Sequence, residues 1–195
     1  MNHCRLFSGT VTGEADPSGR IPARSEIPRE YTWDLEAVFP TAEAWEESFR
    51  LLGEEMERLG GYNGRLFESP ETLLEFLKLE EAASERMGKL YAYAVMKSHE
   101  DTADAARQAR ADRAGSLLAS YGAVLSFYRP EILAAGKEKV NNAIKACPGL
   151  EMYCHHFDDL LRTAGHVLGP QEEEILARSG EMARTPENAF SLLTN

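Results

Sequence analysis

Between Thr41 and Gly61, the apolar residues Trp45, Phe49, Leu52, Met56 and Leu59 follow one another at steps of 4, 3, 4 and 3. Such spacing lays a narrow apolar stripe along one side of a helix, with Glu46, Glu47, Glu54 and Glu55 on the outer side. Thr41 is placed to cap this helix. The pair Gly60-Gly61 is placed to end it, because glycine accepts the left-handed cap conformation without a steric penalty. Ser69-Pro70-Glu71 predicts a second start: a side-chain cap, a proline at the first helical position and an acid at the positive end of the dipole. From there Leu73, Leu77, Ser84, Met87, Tyr91 and Ala94 carry a helix to about Ser98, about 40 Å at 1.5 Å per residue. A third helix is expected from about Thr102, with Ala106, Ala109, Arg113, Leu117, Tyr121, Val124 and Tyr128 on one face, stopping before Pro130. The short link at 98–101 makes helices two and three an antiparallel hairpin.

Beyond Pro130 the elements shorten. Helices are expected at about 130–135, 137–146, 150–164, 170–183 and 186–193, the last four separated by Pro148-Gly149, Gly165, Gly169-Pro170 and Thr185-Pro186. No run alternates as a strand would, and no period repeats as a solenoid would. The fold class is all-α: a long antiparallel helical hairpin followed by several shorter helices. Residues 1–23, rich in Gly, Ser, Thr and Pro, read as a flexible arm. Glu30–Pro40 reads as an irregular lead-in that anchors Trp33 and Phe39 on the body of the domain.

Composition narrows the function. With 43% hydrophobic and 27% charged residues, a chain of 195 residues can bury a real core. Its net charge of −11 argues against nucleic acid or an anionic membrane surface as partner, since cationic charge supplies most of that affinity. No apolar run approaches a membrane span, and the first residues lack a secretory signal. The three cysteines, Cys4, Cys147 and Cys154, read as reduced thiols of a cytoplasmic protein.

Candidate chemistry is sparse. His99-Glu100 begins the zinc-hydrolase pattern His-Glu-x-x-His, but Ala103 stands where the second imidazole is needed. Cys154-His155-His156 with Asp158, Asp159 and Cys147 offers ligand types, yet adjacent residues on one helix cannot surround a zinc tetrahedrally. This segment therefore reads as a surface helix. Phe7-Ser8-Gly9 is no nucleophile elbow, and Leu59-Gly60-Gly61-Tyr62-Asn63-Gly64 lacks the Lys-Ser/Thr of a phosphate loop. Glu46-Glu47, Glu54-Glu55 and Glu172-Glu173-Glu174 read as solvated helix faces, and Tyr91, Tyr93, Tyr121 and Tyr128 as packing. No catalytic or metal-ligating residue is assigned, and the substrate-binding residues are unknown at this stage.

The stretch Arg24-Ser25-Glu26-Ile27-Pro28-Arg29-Glu30-Tyr31-Thr32-Trp33-Asp34-Leu35, continuing through Val38-Phe39-Pro40 to Ala44-Trp45, resembles the opening of oligoendopeptidase F-type zinc metallopeptidases. Leu90-Tyr91-Ala92-Tyr93-Ala94 with Lys97-Ser98 and Glu100-Asp101-Thr102 resembles the family's second helix and turn. Leu125-Ser126-Phe127-Tyr128-Arg129-Pro130-Glu131-Ile132-Leu133 resembles the end of its third. Leu160-Leu161-Arg162, His166-Val167-Leu168, Glu172–Ala177 and Phe190-Ser191-Leu192-Leu193 follow in order, with Gly165-His166 and Gly169-Pro170 departing from the usual pattern. The resemblance covers about 24–195 and leaves 1–23 unmatched.

It implies an all-helical, cytoplasmic enzyme that hydrolyses oligopeptides with a zinc held by His-Glu-x-x-His and a downstream glutamate. None of these ligands maps onto a position here. Residues 24–195 would be the N-terminal helical domain, truncated before the catalytic region. That domain would restrict substrate size by walling a channel over the metal, and would be inactive and cofactor-free alone. An apolar docking face including Phe190, Leu192 and Leu193 would promote self-association. The alternative is a freestanding helical module that binds a protein or peptide without catalysis.

Overall fold

The computed structural model describes residues 26–166, and these contain five α-helices and short 3-10 turns but no strand. The helices are α1 (Ala42–Gly60), α2 (Pro70–Glu100), α3 (Ala105–Val124), α4 (Tyr128–Ala146) and α5 (Cys154–Arg162). The expected arm at 1–23 and the helices at 170–183 and 186–193 lie outside the described residues.

The caps of α1 and α2 are those expected. Thr41 Oγ1 accepts from the Ala44 amide at 3.2 Å, and Ser69 Oγ from the Thr72 amide at 3.1 Å. The end of α1 differs. Gly61 is right-handed (φ −66°), its amide bonding back to the Arg58 carbonyl, and the left-handed glycine is Gly64 (φ 77°) in the following turn. Glu131 holds that turn from across the molecule, its two carboxylate oxygens accepting from the Gly64 and Leu66 amides at 2.9 and 2.8 Å. These two bonds fasten the α1–α2 connection to α4, and they pair the amide of the buried Leu66.

α1, α2 and α3 form one antiparallel layer sequence. Trp45 is fully buried and donates its indole N–H to the Leu90 carbonyl at 3.1 Å, while Arg86 pairs with Glu55 at 3.0 Å. Low numbers of α1 therefore lie against high numbers of α2. The same reversal relates α2 to α3: Arg107 reaches the Lys97 carbonyl and Glu100, and the Tyr121 hydroxyl reaches Glu80. The hairpin is as predicted, but its turn is later. Asp101 caps the turn at the Ala103 amide, and α3, expected from about Thr102, starts at Ala105 with Asp104 capping it through the amides of Ala106 and Arg107.

The buried face of α2 is Leu73, Phe76, Leu77, Ala83, Met87, Leu90, Tyr93 and Ala94. Ser84 and Tyr91, placed on that face by the sequence pattern, are exposed instead. α3 buries only Ala114 and Tyr121; Ala106, Ala109 and Arg113 of its predicted stripe face solvent. Arg113 instead covers the core edge, its guanidinium 5.3 Å from the Trp45 ring and paired with Glu46 at 2.7 Å.

Pro130 does not separate helices. α3 tightens into a 3-10 turn at Leu125–Phe127, and α4 starts at Tyr128, so the proline falls in the first turn, where a missing N–H is tolerated. The predicted break between 135 and 137 is present, with Gly136 at φ 73°, ψ 168°. The predicted helix 150–164 is instead a 3-10 run, Pro148–Tyr153, followed by α5. Gly149 lies close to Leu74 at that entry: a Cβ there would come within 2.6 Å of Leu74 Cδ2, so the leucine methyl would have to shift.

The lead-in divides. Phe39 is buried, edge-on to Tyr93 at 5.3 Å, and Leu35 is buried beside it, but Trp33 is 77% exposed. Only half of the expected anchoring occurs.

Candidate functional site

A cleft of about 380 Å³ opens where the middle of α2 meets the start of α5, lined by Leu77, Glu80, Glu81, Ser84, Glu85, Tyr153 and His156. Local structure explains each group. Successive α2 positions 77, 80, 81 and 84 lie three and four residues apart and so share one face. The 3-10 run before α5 swings Tyr153 over that face, its hydroxyl donating to Glu81 at 3.1 Å. Phe157 and Leu160 bury α5 against α4, which brings His156 Nε2 within 2.6 Å of the Tyr128 hydroxyl.

Burial governs the electrostatics. Desolvation holds the Glu80 carboxyl above the ordinary carboxylate value; the Tyr121 hydroxyl bond opposes this and neighbouring Glu81 adds to it. Burial likewise pushes the hydroxyls of Tyr121, Tyr128 and Tyr153 upward, leaving them protonated donors at neutral pH. The His156 imidazole is held below its usual value by burial, against the pull of Asp159 and with the push of Arg129. Tyr128 and His156 share one hydrogen bond, its direction set by the tautomer of the imidazole.

His156 also borders a second cleft of about 420 Å³, with Tyr128, Arg129, Asp159, Leu160, Arg162 and Thr163. The two form a polar trough with an apolar floor. It presents carboxylates, phenols and an imidazole, all groups able to form hydrogen bonds.

The sequence candidates fall elsewhere. His99 and Glu100 are the last residues of α2; Glu100 is engaged by Lys97 at 3.3 Å and Arg107 at 3.0 Å, a structural knot at the hairpin turn. Cys147 is buried and Cys154 half-buried, both as free thiols, and His155 is exposed. Among the described residues no three His, Cys, Asp or Glu side chains converge to hold a metal. They therefore do not fit a zinc, which needs about four ligands.

Of the tyrosines read as packing, Tyr121 and Tyr128 are buried yet also deliver their hydroxyls to Glu80 and His156. Glu80, Glu81 and Tyr153 were missed. Tyr153 and Glu81 are 72 residues apart, and no local pattern joins them.

The family model described as oligopeptidase F matches residues 131–195. Oligopeptidase PepF of Bacillus subtilis is 34% identical over 187 residues, 96% of this chain and 28% of the relative. Group B oligopeptidase PepB of Streptococcus agalactiae is 35% identical over 172 residues, 88% of this chain and 29% of the relative. The crystal structure of oligoendopeptidase-F from Enterococcus faecium superposes with a TM-score of 0.66 at 26% identity, over 80% of this chain and 31% of that one. A structure from Chlamydophila abortus shares the fold, with a TM-score of 0.62 at 21% identity over 90% of this chain and 30% of that one. The chain thus spans less than a third of the length of these relatives. Among the described residues no helix is long and apolar enough to cross a membrane.

Proposed function

Because the chain corresponds to the N-terminal part of oligoendopeptidase F-type peptidases, we propose that it is the substrate-restricting helical domain of a zinc metalloendopeptidase acting on oligopeptides in the cytoplasm. Residues 24–195 form that domain in this reading, and the zinc ligands lie on a catalytic region outside it. The observation that carries the reading is the match of 96% of this chain to 28% of a PepF peptidase.

The helical layers supply the physical means. A wall of packed helices, with a trough of hydrogen-bond acceptors between α2 and α5, takes up an extended chain. A folded domain is excluded unless it first unfolds, which costs it about 5–15 kcal/mol. The trough, from Glu80 and Glu81 to His156, is the surface assigned to substrate.

Without zinc ligands the chain alone is inactive. Incubation of the 195-residue chain with zinc and a quenched fluorescent oligopeptide checks this directly. The expected result is no metal-dependent cleavage above a blank, and cleavage abolished by a chelator would overturn it. Binding of the same peptide without turnover to a variant such as Glu81→Ala, weaker than to the parent chain, supports the assignment of the trough.

A further inference from the structure

We propose that Tyr31 and Trp33 anchor a docking surface whose occupant is the peptidase region of an oligoendopeptidase F-type polypeptide. This rests on the functional reading above. These two aromatic rings are 67% and 77% exposed, although the segment carrying them is firmly held. Leu35 and Phe39 are buried on either side of Glu36, which pairs with Lys97 of α2 at 2.8 Å. The turn before them is closed by the Tyr31 amide on the Pro28 carbonyl at 2.9 Å and by Thr32 Oγ1 on the Arg29 carbonyl at 2.8 Å. The rings are therefore presented by a fixed backbone, which lowers the entropy lost on binding.

Their surroundings differ from a bare surface. A cleft of about 230 Å³ is lined by the apolar Trp33, Leu35 and Met96 and the polar His99 and Glu100, and a charged one of about 210 Å³ lies between Trp33, Arg29 and Lys97. Thr32, Trp33 and Glu100 border both. Tryptophan and tyrosine are among the residue types that anchor protein interfaces, with charged groups such as Arg29 and Lys97 belonging to the rim.

The occupant follows from chain length. Residues 31–35 lie inside the stretch matched to PepF, and that relative has about seven tenths of its length beyond what this chain spans. In the functional reading above that remainder carries the peptidase region, and a domain that walls its channel packs part of its surface against it. The fixed, exposed aromatics are the described feature best suited to be covered.

The test joins the full 195-residue chain to the part of Bacillus subtilis PepF that follows the matched segment, with 5-fluorotryptophan incorporated throughout. Trp33→Phe identifies the Trp33 resonance by its loss. A soluble gadolinium chelate should relax that resonance at least fivefold less in the joined polypeptide than in the chain alone. Equal relaxation in a joined polypeptide that hydrolyses peptides would sink this inference and leave the functional reading standing. A covered Trp33 without hydrolysis would do the reverse. If the joined polypeptide does not fold, the chain is mixed with the separately purified PepF remainder. Trp33→Ala must then weaken association at least tenfold, and unaltered or absent association overturns the proposal. Protection of Trp33 that appears only on dimerisation, or that disappears on removal of residues 1–25, would assign the surface to a second copy or to that segment instead, and would equally overturn it.

Discussion

The two tryptophans illustrate how position decides what a residue contributes. Trp45 is fully buried, hydrogen-bonded to Leu90 and covered by Arg113, so Trp45→Ala should destabilise the chain by about 3–5 kcal/mol in urea unfolding. Trp33→Ala removes a solvated ring and should stay within about 0.5 kcal/mol of the parent. A large loss at Trp33 would mean that it packs within this domain. Glu80 makes a second residue-scale prediction, through pH. Its carboxyl is raised above the ordinary 4.5 mainly by burial, so the folded state holds the proton more tightly than the unfolded chain. The stability this provides is present below 4.5 and lost as pH rises through the raised value. Glu80→Gln, which keeps an oxygen for Tyr121, should therefore gain stability relative to the parent at pH 7, and the gain should shrink towards pH 4. A difference independent of pH would contradict the burial argument.

At the scale of elements, glycines and one carboxylate set the breaks and joints. Gly136 interrupts α4 at φ 73°, ψ 168°, a region nearly closed to other residues, so Gly136→Ala should cost about 1–3 kcal/mol. Gly88, inside α2 with open space around a would-be Cβ, should behave oppositely, Gly88→Ala stabilising by about 0.5–1 kcal/mol. Thermal unfolding of the pair separates the two cases. Glu131→Gln replaces an oxygen that accepts a backbone amide by an NH2 group, so one of Gly64 and Leu66 loses its partner. The expected loss is about 1–3 kcal/mol, with faster hydrogen exchange at those amides. Much at this scale was legible in the sequence, since caps and breaks are local: Thr41, Ser69 and Gly136 stand where their residue types place them. The start of α3 was less so, because Asp101, Thr102 and Asp104 can all cap, and the choice rests on which carboxylate meets the Arg107 amide. Trp33 misled for a related reason. An aromatic residue near Leu35 and Phe39 is expected to be buried with them, and only packing shows that two of the three exhaust the available face of α2.

For the whole molecule, three antiparallel helices form a wall, and α4 and α5 fold across one end of it to make the trough. That trough was not legible, because its pairs, Tyr153 with Glu81, Tyr128 with His156 and Tyr121 with Glu80, join positions separated by 72, 28 and 41 residues. The resemblance carried by Tyr31-Thr32-Trp33-Asp34-Leu35 and Tyr128-Arg129-Pro130-Glu131 reached the family without it. The structure gives some of those residues physical work, Glu131 as a clamp on the α1–α2 turn and Leu35 as an anchor. The central claim concerns substrate size, and one measurement tests it most directly. The chain is joined to the remainder of Bacillus subtilis PepF and offered one peptide sequence in two forms, free and embedded in a folded domain. The account predicts hydrolysis of the free peptide and at least about a thousandfold slower cleavage of the folded form, set by how rarely that domain opens. Comparable rates on both would contradict it.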